Sequence, residues 1–146
     1  MFVLGPTLML DVPGSLNASL LALWESNAPY NTYTQTSTPR YHYDTHFMVN
    51  LAWGIPLGSL PLSYEGYLNY IPGKGLDEFG AKRATETNLD MQIMLDIGAL
   101  AGSAKNTLKV GFEYQYWKNK FGNDHNGPAG PGAFAKTPMV RLEYHF

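Results

Sequence analysis

From Pro138 to Phe146 the chain alternates without a break. Val140, Leu142, Tyr144 and Phe146 fall on one side of an extended strand, and Met139, Arg141, Glu143 and His145 on the other. A segment that is apolar on one face and ionisable on the other folds as a strand at the boundary between an apolar phase and a wet one. Two architectures supply that boundary. In a soluble sandwich the apolar face is the core. In an outer-membrane β-barrel it meets lipid, and the ionisable face lines a wet lumen. Alternation in one strand does not choose between them.

The same period of two recurs from Phe2 to Leu10, Leu16 to Trp24, Phe47 to Ile55, Leu62 to Tyr70, Leu89 to Ile97 and Leu108 to Tyr116. With the last segment this makes about seven strands, each near the ~9–11 residues that a tilted spanning strand needs. The connections alternate in length. Short turns lie at Asp11–Ser15, Pro56–Pro61 and Leu100–Asn106, and long polar loops at Glu25–Asp44, Pro72–Asn88 and Lys118–Thr137. Soluble sandwiches tend to short loops at both ends. Tight turns at one end and long loops at the other are the barrel pattern.

Aromatic residues fit the second reading. With the long loops outside, Trp24, Tyr43, Tyr70 and Tyr116 fall at the outer rim of the apolar face. Trp53, Tyr64, Tyr144 and Phe146 fall at the periplasmic rim, giving two girdles around an aliphatic band. A charged fraction of 15% and a slightly negative mean hydropathy exclude a disordered chain and a helical membrane protein. A net charge of -2 with no basic cluster argues against nucleic acid, and the absence of Cys removes disulfides and thiolate metal sites. The expected fold is therefore all-β, a single antiparallel transmembrane β-barrel domain over residues 1–146. Counting back from a descending last strand makes the Phe2–Leu10 strand descend as well. The start, Met1 to Pro6, also lacks the features of a signal peptide. Both point to a chain that is incomplete at its N-terminus, with further strands needed to close the barrel.

Asn69-Tyr70-Ile71-Pro72-Gly73-Lys74-Gly75-Leu76-Asp77-Glu78-Phe79-Gly80, Thr85-Glu86-Thr87 and Gly111-Phe112-Glu113-Tyr114-Gln115-Tyr116-Trp117-Lys118-Asn119-Lys120-Phe121-Gly122-Asn123 precede the terminal Arg141-Leu142-Glu143-Tyr144-His145-Phe146. In order and spacing these resemble the nucleoside-specific channel-forming porins of the Tsx-like family, over roughly the last hundred residues. The resemblance implies a twelve-stranded outer-membrane barrel with a narrow channel, of which this chain supplies the last seven strands. It implies passive diffusion of nucleosides or similar small polar solutes, with no enzymatic activity and no cofactor. The expected partners are these solutes, outer-membrane lipid, and the barrel-assembly machinery through the strand ending at Phe146.

A pore that selects nucleosides needs amides and carboxylates for ribose hydroxyls and a flat ring for the base. On the inward face Tyr67 and Trp117 are the candidate stacking rings, with Glu65, Asn69, Glu113, Gln115 and Arg141 on neighbouring strands. The plainer reading is that these charges rigidify the wall through cross-strand pairs such as Lys109–Glu143 or Glu113–Arg141. His42, Asp44 and His46 share one face if a single strand runs through them, which invites a metal reading, but the two His are too far apart along it for one ion without a bulge. A lipid-hydrolase reading needs a Ser–His pair at the lipid face, whereas His46 is expected inward with no Ser beside it. Gly127 to Gly132 marks a loop that serves as pore constriction or contact surface. Alternatives to the channel are a structural or surface-binding barrel with a plugged lumen, and a soluble ligand-binding barrel with its apolar faces inward.

Overall fold

The computed structural model describes residues 1–102, 104–128 and 130–145. Expectations resting on Phe146, and on Ser103 and Ala129 in their connections, lie outside the described residues. The strands are β1 (Phe2–Leu4), β2 (Thr7–Leu10), β3 (Ser15–Trp24), the two-residue segments β4 (Ser26–Asn27), β5 (Tyr30–Asn31), β6 (Thr36–Ser37) and β7 (Tyr41–His42), then β8 (His46–Pro56), β9 (Leu62–Ile71), β10 (Glu86–Asp96), β11 (Leu108–Lys118) and β12 (Phe134–Tyr144). One antiparallel sheet runs β1–β3–β8–β9–β10–β11–β12, with β2 also on β3. The segments β4 and β7 pair with each other, as do β5 and β6, inside the first long connection.

β1 and β2 hold one register on β3, from Phe2↔Trp24 to Thr7↔Ser19, so they are a single strand with a notch. The notch has a local cause. Pro6 has no N–H to give and only accepts from the Leu20 N–H, at 3.1 Å. Gly5 lies so close to β3 that a Cβ on it would stand 2.0 Å from the Leu20 carbonyl oxygen. The sheet thus has seven positions, and because neighbours alternate in direction, the first and seventh run the same way.

Two strands exceed their sequence pattern. β10 begins at Glu86 rather than Leu89, and β12 at Phe134 rather than Pro138, so Trp117↔Ala135 and Lys118↔Phe134 extend the ladder. Pro138 hid the start of β12, yet it sits there without penalty. The His145 N–H donates to the Thr107 carbonyl at 2.9 Å, which fixes the alternation along β12. Pro138, of opposite parity, turns its missing N–H away from β11, towards an outer edge that has no partner in this sheet.

Since each strand follows its neighbour up and down, connections 25–45, 72–85 and 119–133 gather at one end and the shorter ones at the other. The two faces differ sharply. Phe47, Val49, Ile93, Phe112, Val140 and Leu142 project into the open on one face, with Phe112 75% and Val140 74% exposed. Among the described residues the buried hydrophobic side chains are only Leu23, Tyr43, Met94 and Ala133, in a chain that is 45% hydrophobic. A soluble sandwich or ligand barrel would hide its aliphatic face in a core. This sheet does the reverse: its aliphatic face is the exposed one.

Aromatic rings mark both ends of the exposed face. Tyr116 packs edge-on against Phe134 at 5.5 Å near the long connections, and Trp53 lies 5.5 Å from Tyr64 at the other end. Trp53 covers Gly66, where a Cβ would meet its ring at 2.7 Å. Tyr43 departs from expectation. It is buried in the first long connection, off the strands, and takes no part in a rim girdle.

Candidate functional site: the polar face and its mouth

Strand register arranges the other face in rows, about 6.6–6.8 Å apart along the strands. A row towards the long connections holds Ser19, Asn50, Asn69, Asn88 and Trp117. Below it come Ala52, Tyr67, Asp90 and Gln115, then Gly54, Glu65, Gln92 and Glu113, then Ser63, Met94, Gly111 and Arg141. All seven candidate residues therefore share one face, spread over four rows.

Most of them are already engaged. The Asn50 amide donates to Asn69 Oδ1 at 2.7 Å, and Gln115 donates to Asp90 at 3.4 Å. Glu65 accepts from Ser63, from Gln92 at 3.3 Å and from Lys109 at 3.1 Å. Arg141 donates to Glu113 at 3.0 Å and to Glu143 at 2.7 Å. The expected Glu113–Arg141 pair thus forms, whereas Lys109 reaches across β10 to Glu65 instead of pairing with Glu143. Trp117 Nε1–H donates to Glu86 at 2.6 Å, and its ring packs 5.0 Å from Phe121. Phe121 holds a left-handed backbone, φ 59°, which a bulky side chain rarely adopts.

Tyr67 is different: among the described residues its hydroxyl makes no hydrogen bond. In the rows on either side of it, Asn88 Oδ1 and Gln92 Oε1 are buried with no hydrogen-bond partner among the described residues. Buried acceptors left open are uncommon in folded proteins. The Tyr67 ring is half-buried, whereas the two amide oxygens have essentially no accessible surface and face packed protein. Met94, fully buried, lies beneath, its sulfur filling the space that a Cβ on Gly111 would take at 2.6 Å.

At the mouth of this face the three long connections clasp one another. Lys74 Nζ donates to Glu25 at 2.6 Å and stands 4.4 Å from the centre of the Tyr43 ring. The Arg83 guanidinium lies 5.8 Å from the same ring and 3.4 Å from Asp77. Tyr43 O–H donates to Glu78 at 3.1 Å, and Asn27 donates to the same carboxylate at 3.2 Å. The third connection joins through Arg83 donating to Asn123, through the Ala84 N–H on the Gly122 carbonyl at 2.8 Å, and through Asn119 on the Thr85 carbonyl at 2.7 Å. Lys74 and Asp77 are both buried.

Burial raises the Tyr43 pKa above its ordinary 10.0, and the hydrogen bond to Glu78 raises it further. A raised acid pKa means the folded clasp holds its proton more tightly than the unfolded chain. That stability is complete below pH about 10 and is lost as pH rises above it. Limited proteolysis of the connections should accelerate in that range, and Tyr43→Phe should flatten the dependence.

His42, Asp44 and His46 do not share a strand face, because β7 ends at His42 and β8 begins at His46. His42 and Asp44 are exposed, while His46 is buried with Nδ1 2.8 Å from the Asp44 carbonyl oxygen. Among the described residues no cluster of three His, Cys, Asp or Glu is arranged to hold a metal. Lys74, Glu86 and Asn88 carry no signal of their own in the sequence: Glu86 and Asn88 have loop composition, and a lone Lys in a loop has no periodic context. No protein-family model, curated protein or solved structure matches this chain.

Proposed function

We propose that this chain is the wall of an outer-membrane β-barrel channel for small, uncharged polar solutes, with nucleosides as the solute class that the sequence resemblance favours. One observation carries the membrane part: a continuous apolar face, ringed with aromatics at both ends, is exposed while the polar face knits itself together. Unpaired edges cost several kcal/mol per backbone group in lipid. Further strands between β12 and β1 therefore complete the ring. Their number is odd if every seam is antiparallel, as the five of a twelve-stranded barrel would be.

The half-buried Tyr67 ring, in the middle of the polar face, is the proposed solute contact. A base stacks on the ring while ribose hydroxyls exchange hydrogen bonds with the Tyr67 hydroxyl. Such stacking is worth about 1–3 kcal/mol per base. Trp117 is a lesser contact than its composition suggests, since Glu86 and Phe121 hold it. In planar bilayers the complete protein should show a small conductance that adenosine blocks. Tyr67→Ala should weaken that block roughly five- to hundredfold, and Trp117→Ala should weaken it less. Conductance that adenosine leaves untouched would sink the nucleoside assignment. The clasp over the mouth favours a second reading, a plugged barrel whose outer surface does the work, and that protein would show no conductance at all.

A further inference from the structure

We infer that the outermost tip of the connections is a separate binding site for a neutral saccharide. In the first long connection β5 pairs with β6, Tyr30 opposite Ser37 and Asn31 opposite Thr36. Asn31 Oδ1 accepts from the Tyr33 and Thr34 N–H groups at 2.9 and 3.2 Å. Thr38 donates both its N–H, at 2.9 Å, and its hydroxyl, at 3.1 Å, to the Pro29 carbonyl. Phe79 arrives from the second connection, its N–H held by Asp77 Oδ1 at 2.9 Å, next to the Glu78 that Asn27 and Tyr43 bind. Between these segments lies an open depression of about 300 Å³, lined by Tyr30, Tyr33, Phe79, Asn31, Thr32 and Thr38. That is the small end of the ~300–1,000 Å³ usual for ligand pockets.

Its chemistry is selective. Tyr30, Tyr33 and Phe79 are 61%, 96% and 77% exposed, and they stand on the connections rather than on the apolar face of the sheet. Lipid contact therefore does not account for them. No charged side chain lines the depression, so it offers nothing to an anion or a cation. What it does offer is ring faces and neutral polar groups. The Asn31 carbonyl is spent on two backbone bonds, which leaves its NH₂ as a donor, and the Thr38 hydroxyl has given its proton and keeps its lone pairs as acceptors. A pyranose matches this set: its axial C–H groups lie against the electron-rich ring faces, and its adjacent hydroxyls alternate as donor and acceptor. The backbone is hydrogen-bonded before any ligand arrives, so little ordering cost is left, and Tyr loses few rotamers on contact.

The test uses the complete protein in dodecylphosphocholine micelles, because glycoside detergents would compete. Saturation-transfer NMR is recorded with methyl glucoside, methyl galactoside, N-acetylglucosamine and adenosine. Phosphatidylcholine vesicles with and without lipopolysaccharide then separate a soluble sugar from an outer-leaflet glycolipid. At least one sugar should bind weakly, with the signal lost roughly tenfold or more in Tyr33→Ala and Phe79→Ala. Tyr33 and Phe79 are exposed, so the sheet and the clasp should be unaffected, as protease resistance of the connections will show. Binding of lipopolysaccharide vesicles that free sugar displaces would assign the glycolipid source, and free-sugar binding alone the soluble one. The inference is overturned if no saccharide binds, if both variants bind as the wild type does, or if adenosine alone depends on Tyr33 and Phe79. It stands independently of the channel reading, since a plugged barrel would bind sugar equally well.

Discussion

Replacing Phe112 with Arg is expected to cost about 2–4 kcal/mol of stability in a bilayer, the penalty for a cation on the lipid face near mid-depth. Phe112 is near the centre of β11 and is 75% exposed, with Ile93 and Val140 opposite it on the two neighbouring strands. In water an exposed Phe→Arg change would be close to neutral, because surface substitutions usually stay within about ±0.5 kcal/mol. The two environments therefore predict different outcomes from one substitution. Thr137→Arg supplies the control: it pairs with Gln115 in the row of Tyr67, on the polar face, and should cost little. Urea unfolding of the complete protein from phosphatidylcholine vesicles reads both variants. Equal stabilities for the two would remove the membrane reading, whatever the conductance shows.

The strands were legible in the sequence because each side chain's phase is set by parity, and parity needs only local pattern. Leu142 and Tyr144 against Arg141 and Glu143, or Phe112 against Glu113, can be assigned to opposite faces from the residues alone, and their exposures agree. Strand ends were less legible. Thr87, Asn88 and Lys136 look like loop by composition, and Pro138 reads as a breaker until its free-edge parity is known. On the polar face, position was legible but partnership was not. Lys109 and Glu143 are opposite in register, yet Lys109 takes Glu65, because Arg141 already holds Glu143 and the long Lys side chain reaches past its nearest neighbour. The clasp was not legible at all. Tyr43, the pair Lys74 and Glu78, and Asn123 belong to three different connections, have no periodicity, and meet only because the meander brings three loops to one end.

That clasp is where the other large effect should appear. Glu25→Ala leaves the Lys74 ammonium, whose side chain is 8% exposed, without its carboxylate. Stripping one partner from a fully buried pair costs about 3–5 kcal/mol. Glu25 itself is 30% exposed, so water partly replaces it and the expected cost falls to about 1–3 kcal/mol. The loss is local, since the ladders do not depend on Lys74. The second connection should loosen from the mouth, become a protease target between Pro72 and Thr85, and leave a larger conductance. Lys74→Met tests the cause. It removes the charge but keeps a long apolar side chain against the Tyr43 ring, and replacing buried charge by packing is often neutral. The pair Glu25→Ala with Lys74→Met should therefore restore protease resistance that Glu25→Ala alone has lost, which simple loss of contacts at position 25 would not allow. If the double variant is as labile as the single one, the stranded ammonium is not what opens the mouth. If Glu25→Ala changes neither proteolysis nor conductance, the three connections do not govern access to the polar face.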